Sequence, residues 1–496
     1  MDWVLAIDAG TTGVRTLAVD ATGRPGPMAY REFPQHFPQP GWVEHDADDI
    51  LAATLATLAE VATALADRGD VVAAIGITNQ RETVVAWDRR TGRPRHRAVV
   101  WQDRRTAAVC DALRADGVEP AVRSRTGLIL DPYFSATKIA WLLREGAVRA
   151  DADLAVGTVD TWILWNLTGG PAGGVHATEP SNAGRTLLYD IDAGGWSDDL
   201  AELFGVPLAP LPEVRPSSGR FGVTVPELAA GLAVPVSGIA GDQQASLFGQ
   251  ACVEPGQTKN TYGTGSFVLM NVGTTRPAPV DGILTTVAWQ IGDTLTYALE
   301  GAVFVTGAAV QWLRDGLGII ESSADAGPLA ESVPDAGGVV FVPALTGLGA
   351  PHWDPYARGI LVGLTRGTTR AHVVRAAIEA MAWQTRDVVD AMTAAAGRPL
   401  TSLRIDGGAS VMDLLCRFQA DVLGTEVRRS AVRETTALGA AFLAGLAEGV
   451  WGDVADVAAH WHDDGRFPPT ESRADVDARY AQWCRAVERA KSWATP

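Results

Sequence analysis

Two short segments with the same logic, one in each half of the chain, limit its fold more than any other feature. LAIDAGTTGVRTLAVD, residues 5–20, sets a Gly-Thr-Thr-Gly turn between two apolar runs, and NTYGTGSFVLMNVG, residues 260–273, repeats the pattern. Each reads as a β-hairpin, because short apolar runs form buried strands and glycine supplies the turn. The copies start roughly 250 residues apart, a spacing that fits one domain each. The chain is therefore expected to form two similar domains, each offering a Gly-Thr turn to a shared cleft. Glycine and proline in GQACVEPGQ, residues 249–257, place the boundary between a domain of residues 1–250 and one of residues 251–496. Taken alone, the first turn has two equal readings. Asp8 and Thr12 could simply satisfy turn amides, or backbone N–H groups and Thr hydroxyls could cradle a phosphate while Arg15 adds charge.

Strand-like and helix-like segments alternate throughout, which predicts an α/β fold. Asp46 caps the helical pattern DILAATLATLAEVATALA, and VVAAIGIT follows as a buried strand. LRID, GG and ASVMDLLCRFQADVLG read in turn as strand, tight turn and helix. The formal net charge of −17 argues against nucleic-acid or anionic-membrane partners. Only three of the 41 basic residues are lysines, and no GxxxxGK[ST] loop exists, which excludes a P-loop. No apolar run is expected to reach the ~20 residues of a membrane span. The four cysteines form no CxxC pair, and with no signal peptide recognised this predicts a reducing, cytoplasmic setting. His460 and His462 read as a solvated loop, not a metal site.

Several polar residues stand where chemistry is plausible. Asp242 follows an apolar strand in GIAGDQQASLFGQ and starts a helix, so it could be an N-cap or a general base at a strand's carboxyl end. The glycines of DGG, residues 406–408, would let a nucleotide approach the backbone closely. Arg81 and Glu82 in GITNQRETVVAW would be a surface pair if they stood alone. Trp101 in VVWQDRRT and Tyr133 in LDPYFSATK change that reading. Charged groups beside aromatic faces suit a small polyol, whose hydroxyls and C–H side need different partners.

The run of motifs DAGTTGVR, TNQRET, VVWQDRR, GLILDPYFSATK, GTVDTWILW, GIAGDQQASLFGQ, NTYGTGSF, YALEGAVF, TGLGAPHWDPYARG and DGGA resembles the FGGY carbohydrate kinases. It spans residue 4 to beyond residue 450, in order and at family spacing. The resemblance implies two actin-like (ribonuclease-H-like) ATPase domains flanking a central cleft that holds ATP–Mg²⁺ and glycerol. Arg81, Glu82, Tyr133, Asp242 and Gln243 would hold glycerol, with Trp101 and Phe267 walling its carbon side. Thr11, Thr12, Gly13 and Arg15 would meet the phosphates. Thr264, Gly307, Gln311 and Gly408 would contact the nucleotide, and Asp8 and Asp242 would lie near the metal. Asp242 would be the general base, with Asp8 and Arg15 completing the catalytic set. The family commonly forms homodimers or homotetramers. Within it, another polyol or a ketopentose is the competing substrate, and outside it an actin-like ATPase that is not a kinase. Arg81 and Glu82 with Trp101 and Tyr133 favour glycerol. One departure stands out: family members usually follow DGGA with an Asn-Asn pair, the first reaching the adenine, whereas here Met412 and Asp413 take those positions.

Overall fold

The repeated hairpins fold as expected and organise the whole molecule. The computed structural model describes residues 2–495 of the 496-residue chain. Its main sheet has thirteen strands. In chain order these are β1 (Asp2–Ala9), β2 (Gly13–Asp20), β3 (Pro25–Glu32), β4 (Val71–Asn79), β5 (Ser218–Val223), β6 (Pro235–Gly241), β7 (Gln257–Tyr262), β8 (Ser266–Gly273), β9 (Leu284–Ile291), β10 (Thr294–Val303), β11 (Ser402–Gly407), β12 (Val427–Ser430) and β13 (Asp463–Phe467). They lie in the order β13-β12-β11-β7-β8-β10-β9-β5-β6-β4-β1-β2-β3.

That order contains one unit twice. In β3-β2-β1-β4-β6 an antiparallel meander is followed by parallel β4 and β6. In β10-β8-β7-β11-β12 a second meander is followed by parallel β11 and β12. The first two strands of each unit are the sequence hairpins, so the internal repeat is structural. This is the two-unit actin-like architecture. The units meet in the sheet through β5 and β9, which share the single pair Ser218↔Ile291.

Three helices position the cleft. α1 (Ala47–Ala66) is capped by Asp46, whose side chain accepts from the Asp48 amide. The expectation that no apolar run reaches spanning length is corrected here, since α1 is long and apolar enough by length and composition. Its Ile50, Ala53, Leu58, Val61 and Leu65 nevertheless pack into the core of the first unit, so that stripe is explained by burial. α2 (Asp242–Gly249) leaves β6, and α3 (Thr435–Ala447) belongs to the second half but lies on the first. The contact between α2 and α3 is backbone to backbone. A Cβ on Gly439 would stand 1.8 Å from the Ala245 carbonyl oxygen, and one on Gly249 would stand 2.0 Å from that of Thr435. Only glycine allows this approach.

Candidate active site

The tip of the first hairpin is a tight loop in which the Gly10 amide donates to the Gly13 carbonyl at 3.0 Å. Gly13 has no room for a side chain, because a Cβ would lie 2.5 Å from the Arg31 carbonyl oxygen. Thr12 is exposed at the tip, and the Thr11 hydroxyl accepts from the Trp101 indole N–H at 2.9 Å. Asp8 and Arg15 face each other in the hairpin register, with Arg15 Nη1 3.6 Å from Asp8 Oδ2. The same guanidinium is tied to Glu434, just before α3, a partner that the sequence did not reveal. Burial pushes the Asp8 carboxyl up to about 7, against the pull of Arg15 and with the nearby charges of Asp242 and Glu434 adding to the rise. Asp8 is therefore a mostly buried carboxylate whose neighbouring cation, Arg15, is shared with Glu434.

Asp242 does not cap its helix. Gly241 holds the N-cap position, and Asp242 is the first helical residue, its carboxylate accepting from the Gln243 amide. Its side chain is 30 % exposed, and Arg81 Nε lies 3.1 Å from Oδ1. Arg81 and Glu82 follow β4 in a turn where Glu82 has φ +62°, and both side chains are buried. They are no surface pair. Arg81 makes a two-pronged contact with Glu300 of β10, at 2.6 and 3.0 Å. Glu82 accepts from Arg185 Nε at 2.6 Å, and Arg185 Nη2 reaches Glu300 at 3.1 Å. Two cations and two anions thus close a neutral ring with almost no exposure.

Burial raises the Glu82 carboxyl, whereas the two guanidiniums overcome burial at Glu300 and hold its carboxyl down at about 2. Glu300 lies in the YALEGAVF motif and Arg185 in SNAGRTLL. Sequence reasoning assigned neither of them a role. For Glu300, a lone charge inside an apolar stretch was the available signal.

Aromatic groups stand over this ring. Trp101 and Tyr133 meet edge to face at 5.5 Å, and the Tyr133 hydroxyl accepts from Arg81 at 3.4 Å. Gln243 accepts from Lys259 Nζ, a buried ammonium whose pKa burial lowers to about 8. Phe267 pairs with Ala302 and Leu269 with Glu300, so Phe267 and Glu300 project from the same side of the sheet. The residues expected from the sequence to hold a polyol are thereby gathered at the carboxyl ends of β4 and β6, beside the first hairpin.

The second hairpin borders a cavity of about 780 Å³. Thr264, Gly307, Gln311, Gly408 and Met412, named separately along the sequence, all line it. Two glycines make its floor possible. A Cβ on Gly307 would stand 2.5 Å from the Gly263 carbonyl oxygen, and Gly407 has φ +86° against the Tyr262 backbone. Met412 faces Gly327, whose Cβ would be 3.6 Å from its Cγ. A cavity of this size, apolar on two sides with exposed backbone at its base, suits a nucleoside.

The comparisons agree with this geometry. Residues 3–249 match the N-terminal domain of the FGGY family of carbohydrate kinases, and residues 258–448 match its C-terminal domain. A glycerol kinase of Trichlorobacter lovleyi is 54% identical over the full length of both chains. Glycerol kinase 2 of Thermotoga maritima is 50% identical over 99% of each. Among solved structures, Plasmodium falciparum glycerol kinase with ADP superposes with a TM-score of 0.94 at 33% identity, covering 99% of this chain and 98% of that one. A xylulose kinase from Rhodospirillum rubrum gives 0.86 at 25% identity, covering 98% of each chain. With the hairpin repeated, the cleft residues assembled and both halves matched, this chain belongs to the FGGY family of carbohydrate kinases.

Proposed function

We propose that this chain transfers the γ-phosphoryl group of ATP to a terminal hydroxyl of glycerol, giving sn-glycerol 3-phosphate and ADP. The observation that carries the reading is the buried Arg81–Glu82 pair, with Asp242 at hydrogen-bond distance from Arg81 and an aromatic wall of Trp101 and Tyr133 beside it. A three-carbon triol needs donors and acceptors at its hydroxyls and an apolar face for its carbons. Arg81 donates, Glu82 accepts, and Gln243 and the Tyr133 hydroxyl do both, while Trp101 and Phe267 meet the C–H side. Asp242 takes the proton as the hydroxyl oxygen forms its bond to the γ-phosphorus. The bond from that phosphorus to the bridging oxygen breaks, and the electron pair leaves with ADP.

The transition state of such a transfer is loose, with charge on the equatorial oxygens, so fixed dipoles and cations do most of the work. Backbone amides of Thr11, Thr12 and Gly13 and the Thr12 hydroxyl supply the dipoles on one side. Those of Thr264 supply them on the other, and Arg15 adds a cation. Gln311, Gly307, Gly408 and Met412 would receive the adenosine. Asp8, Asp242 and Glu434 bring three carboxylates near one another, which fits a divalent cation, and Asp8 and Asp242 would hold a magnesium ion that supplies countercharge to the phosphates. Four unpaired cysteines, three of them buried, fit a reducing cytoplasm, and the assembly proposed is a homodimer or homotetramer.

The test is ATP consumption with glycerol, with a panel of pentuloses and polyols, and with no acceptor. Turnover with glycerol at least tenfold above every other arm is expected. A preferred ketose, or equal hydrolysis without acceptor, would overturn the assignment.

A further inference from the structure

The phosphate hairpin is held from behind by side chains that the reaction itself does not use. Its tip offers two backbone carbonyls away from the phosphates, those of Gly10 and Thr11. Gln80 Nε2 donates to the first at 3.0 Å, and Gln35 Nε2 donates to the second at 3.0 Å. A single imidazole joins these two amides. His45 Nε2 meets Gln35 Oε1 at 2.6 Å, and His45 Nδ1 meets Gln80 Nε2 at 3.3 Å. An amide oxygen can only accept and an amide nitrogen can only donate, so one tautomer serves: Nε2 carries the proton and Nδ1 accepts.

A second ring shares the Gln80 corner. Gln80 Oε1 accepts from the Thr83 hydroxyl at 2.8 Å, and that hydroxyl oxygen accepts from the Trp101 amide at 3.2 Å. The Trp101 indole then closes the circuit on the Thr11 hydroxyl at 2.9 Å. Gln80 and Thr83 flank Arg81 and Glu82 in sequence, so the two rings join the phosphate hairpin to the polyol loop.

We infer that His45 is a positioning residue: as a neutral imidazole it bridges Gln35 and Gln80, and so fixes the phosphate hairpin against the polyol loop. The inference rests on the phosphate role proposed above for this hairpin. His45 is fully buried, and its ring meets Phe33 edge to face at 5.0 Å. Burial, helped by His36, lowers its pKa to about 4, which keeps the imidazole neutral and the tautomer intact. With both carbonyls engaged behind the tip, the amides of Thr11 and Thr12, which share those trans peptide units, point the opposite way. Loss of the bridge frees the tip to rotate, and a transfer that depends on alignment loses rate even where binding survives.

The experiment compares His45→Phe, which keeps a ring and loses both polar atoms, with His45→Gln, whose amide supplies one donor and one acceptor at similar spacing. Gln35→Met serves as a milder break outside the core, should His45→Phe not fold. Two readouts are taken: steady-state kinetics with glycerol and ATP, and amide hydrogen exchange of the peptide containing residues 9–16. For His45→Phe and Gln35→Met, kcat is expected to fall about tenfold or more and KM for ATP to rise. KM for glycerol should stay within about threefold, and exchange at the tip should be faster. His45→Gln should return both readouts to near wild-type values. Folded His45→Phe or Gln35→Met protein with unchanged kcat and unchanged exchange would overturn the inference. So would a Gln variant as impaired as the Phe variant. The exchange readout needs no substrate: if glycerol is not phosphorylated but exchange follows the pattern, the bridge stands and the functional assignment fails.

Discussion

Replacing Arg185 with methionine tests whether the buried ring is the support of the polyol pocket. Arg185 has no exposure, donates to Glu82 at 2.6 Å and to Glu300 at 3.1 Å, and its guanidinium lies over Tyr133 and Phe134 at 5.3 and 5.0 Å. Methionine approximates its volume, so the main loss is one positive charge from a neutral foursome. Glu300 retains Arg81, but the nearest cation left to Glu82 is Arg81 Nε at 3.9 Å. Breaking a buried pair in this way costs about 3–5 kcal/mol, because the orphaned carboxylate stays desolvated. Burial already raises the Glu82 carboxyl, and removal of its partner drives it further toward the protonated form, which cannot accept as before. Misplacement of such a group costs about 10²-fold in kcat/KM for the polyol.

The assay is urea unfolding of four proteins: wild type, Arg185→Met, Glu82→Gln and the double variant. The double variant removes one charge of each sign, so it should be less destabilised than the two single losses summed, by at least about 1.5 kcal/mol, while its activity stays low. A loss below about 1 kcal/mol for Arg185→Met, or losses that add within about 0.5 kcal/mol, would refute the reasoning.

Three further outcomes follow from the site. Asp242→Asn should fold normally and lose about 10²–10⁴-fold in turnover, measured by ADP release; near-native turnover would leave Asp242 as a mere helix-start residue. Met412→Asn should raise the kcat/KM ratio of ATP over GTP by up to roughly tenfold, since a thioether reads no base edge and one neutral hydrogen bond is worth about 0.5–1.5 kcal/mol. A wild-type ratio that is already high and does not rise would place base selectivity elsewhere, at Gln311 for instance. The third concerns pH. His45 titrates at about 4 in the fold and near 6.5 in the unfolded chain, so its contribution to stability is full above about pH 6.5 and is lost as pH falls toward 4. Relative to His45→Gln, wild type should lose up to about 1.4 kcal/mol per pH unit in that window, read by unfolding at pH 7, 6 and 5. A constant gap would contradict a neutral imidazole.

What could be read from the sequence was local or repeated. Both hairpins were legible because glycine and threonine interrupt apolar runs, and the cap at Asp46 because it stands before a helical period. The motifs carried the cleft residues, and the 780 Å³ cavity gathers the five assigned to the nucleotide. The supports were not legible, for a physical reason. Glu82 and Arg185 are 103 residues apart and Arg81 and Glu300 are 219 apart, so only the folded sheet brings them together. Glu434 meets Arg15 from 419 residues away. Trp101 shows the same limit within one residue. The wall role proposed for it follows from being an aromatic near charged groups, but its N–H bond to Thr11 depends on an orientation that no local pattern encodes. The apolar length of α1 was underread, since the helix reaches the length and composition of a span although its stripe is buried on the sheet.

These supports bear on which part of the cleft can move. α3 is seated on the first unit with no slack: Cβ atoms on Gly76 and Gly238 would stand 2.1 Å from the Ala440 carbonyl oxygen and 2.3 Å from the Ala444 amide nitrogen. Packed backbones of this kind slide poorly, so α3 moves with β4, β6 and α2 although it belongs to the second half of the chain. Glu434 at its start is the neighbour of Arg15, so this contact lies on the same side of the seam as α3. The proposed polyol pocket is tied across the halves too, by the two-pronged Arg81–Glu300 contact and by Lys259 with Gln243. Opening there would separate charges that are fully desolvated, at a cost of several kcal/mol. The sheet, by contrast, joins its units through one residue pair at β5 and β9, and the nucleotide cavity is built entirely from second-half residues. Rotation between the units is therefore cheapest where it changes the distance from that cavity to the hairpin tip and leaves the polyol pocket whole. On the proposed function, an acceptor held in that pocket with the nucleotide brought up to it would keep water from the phosphoryl group until the acceptor is in place.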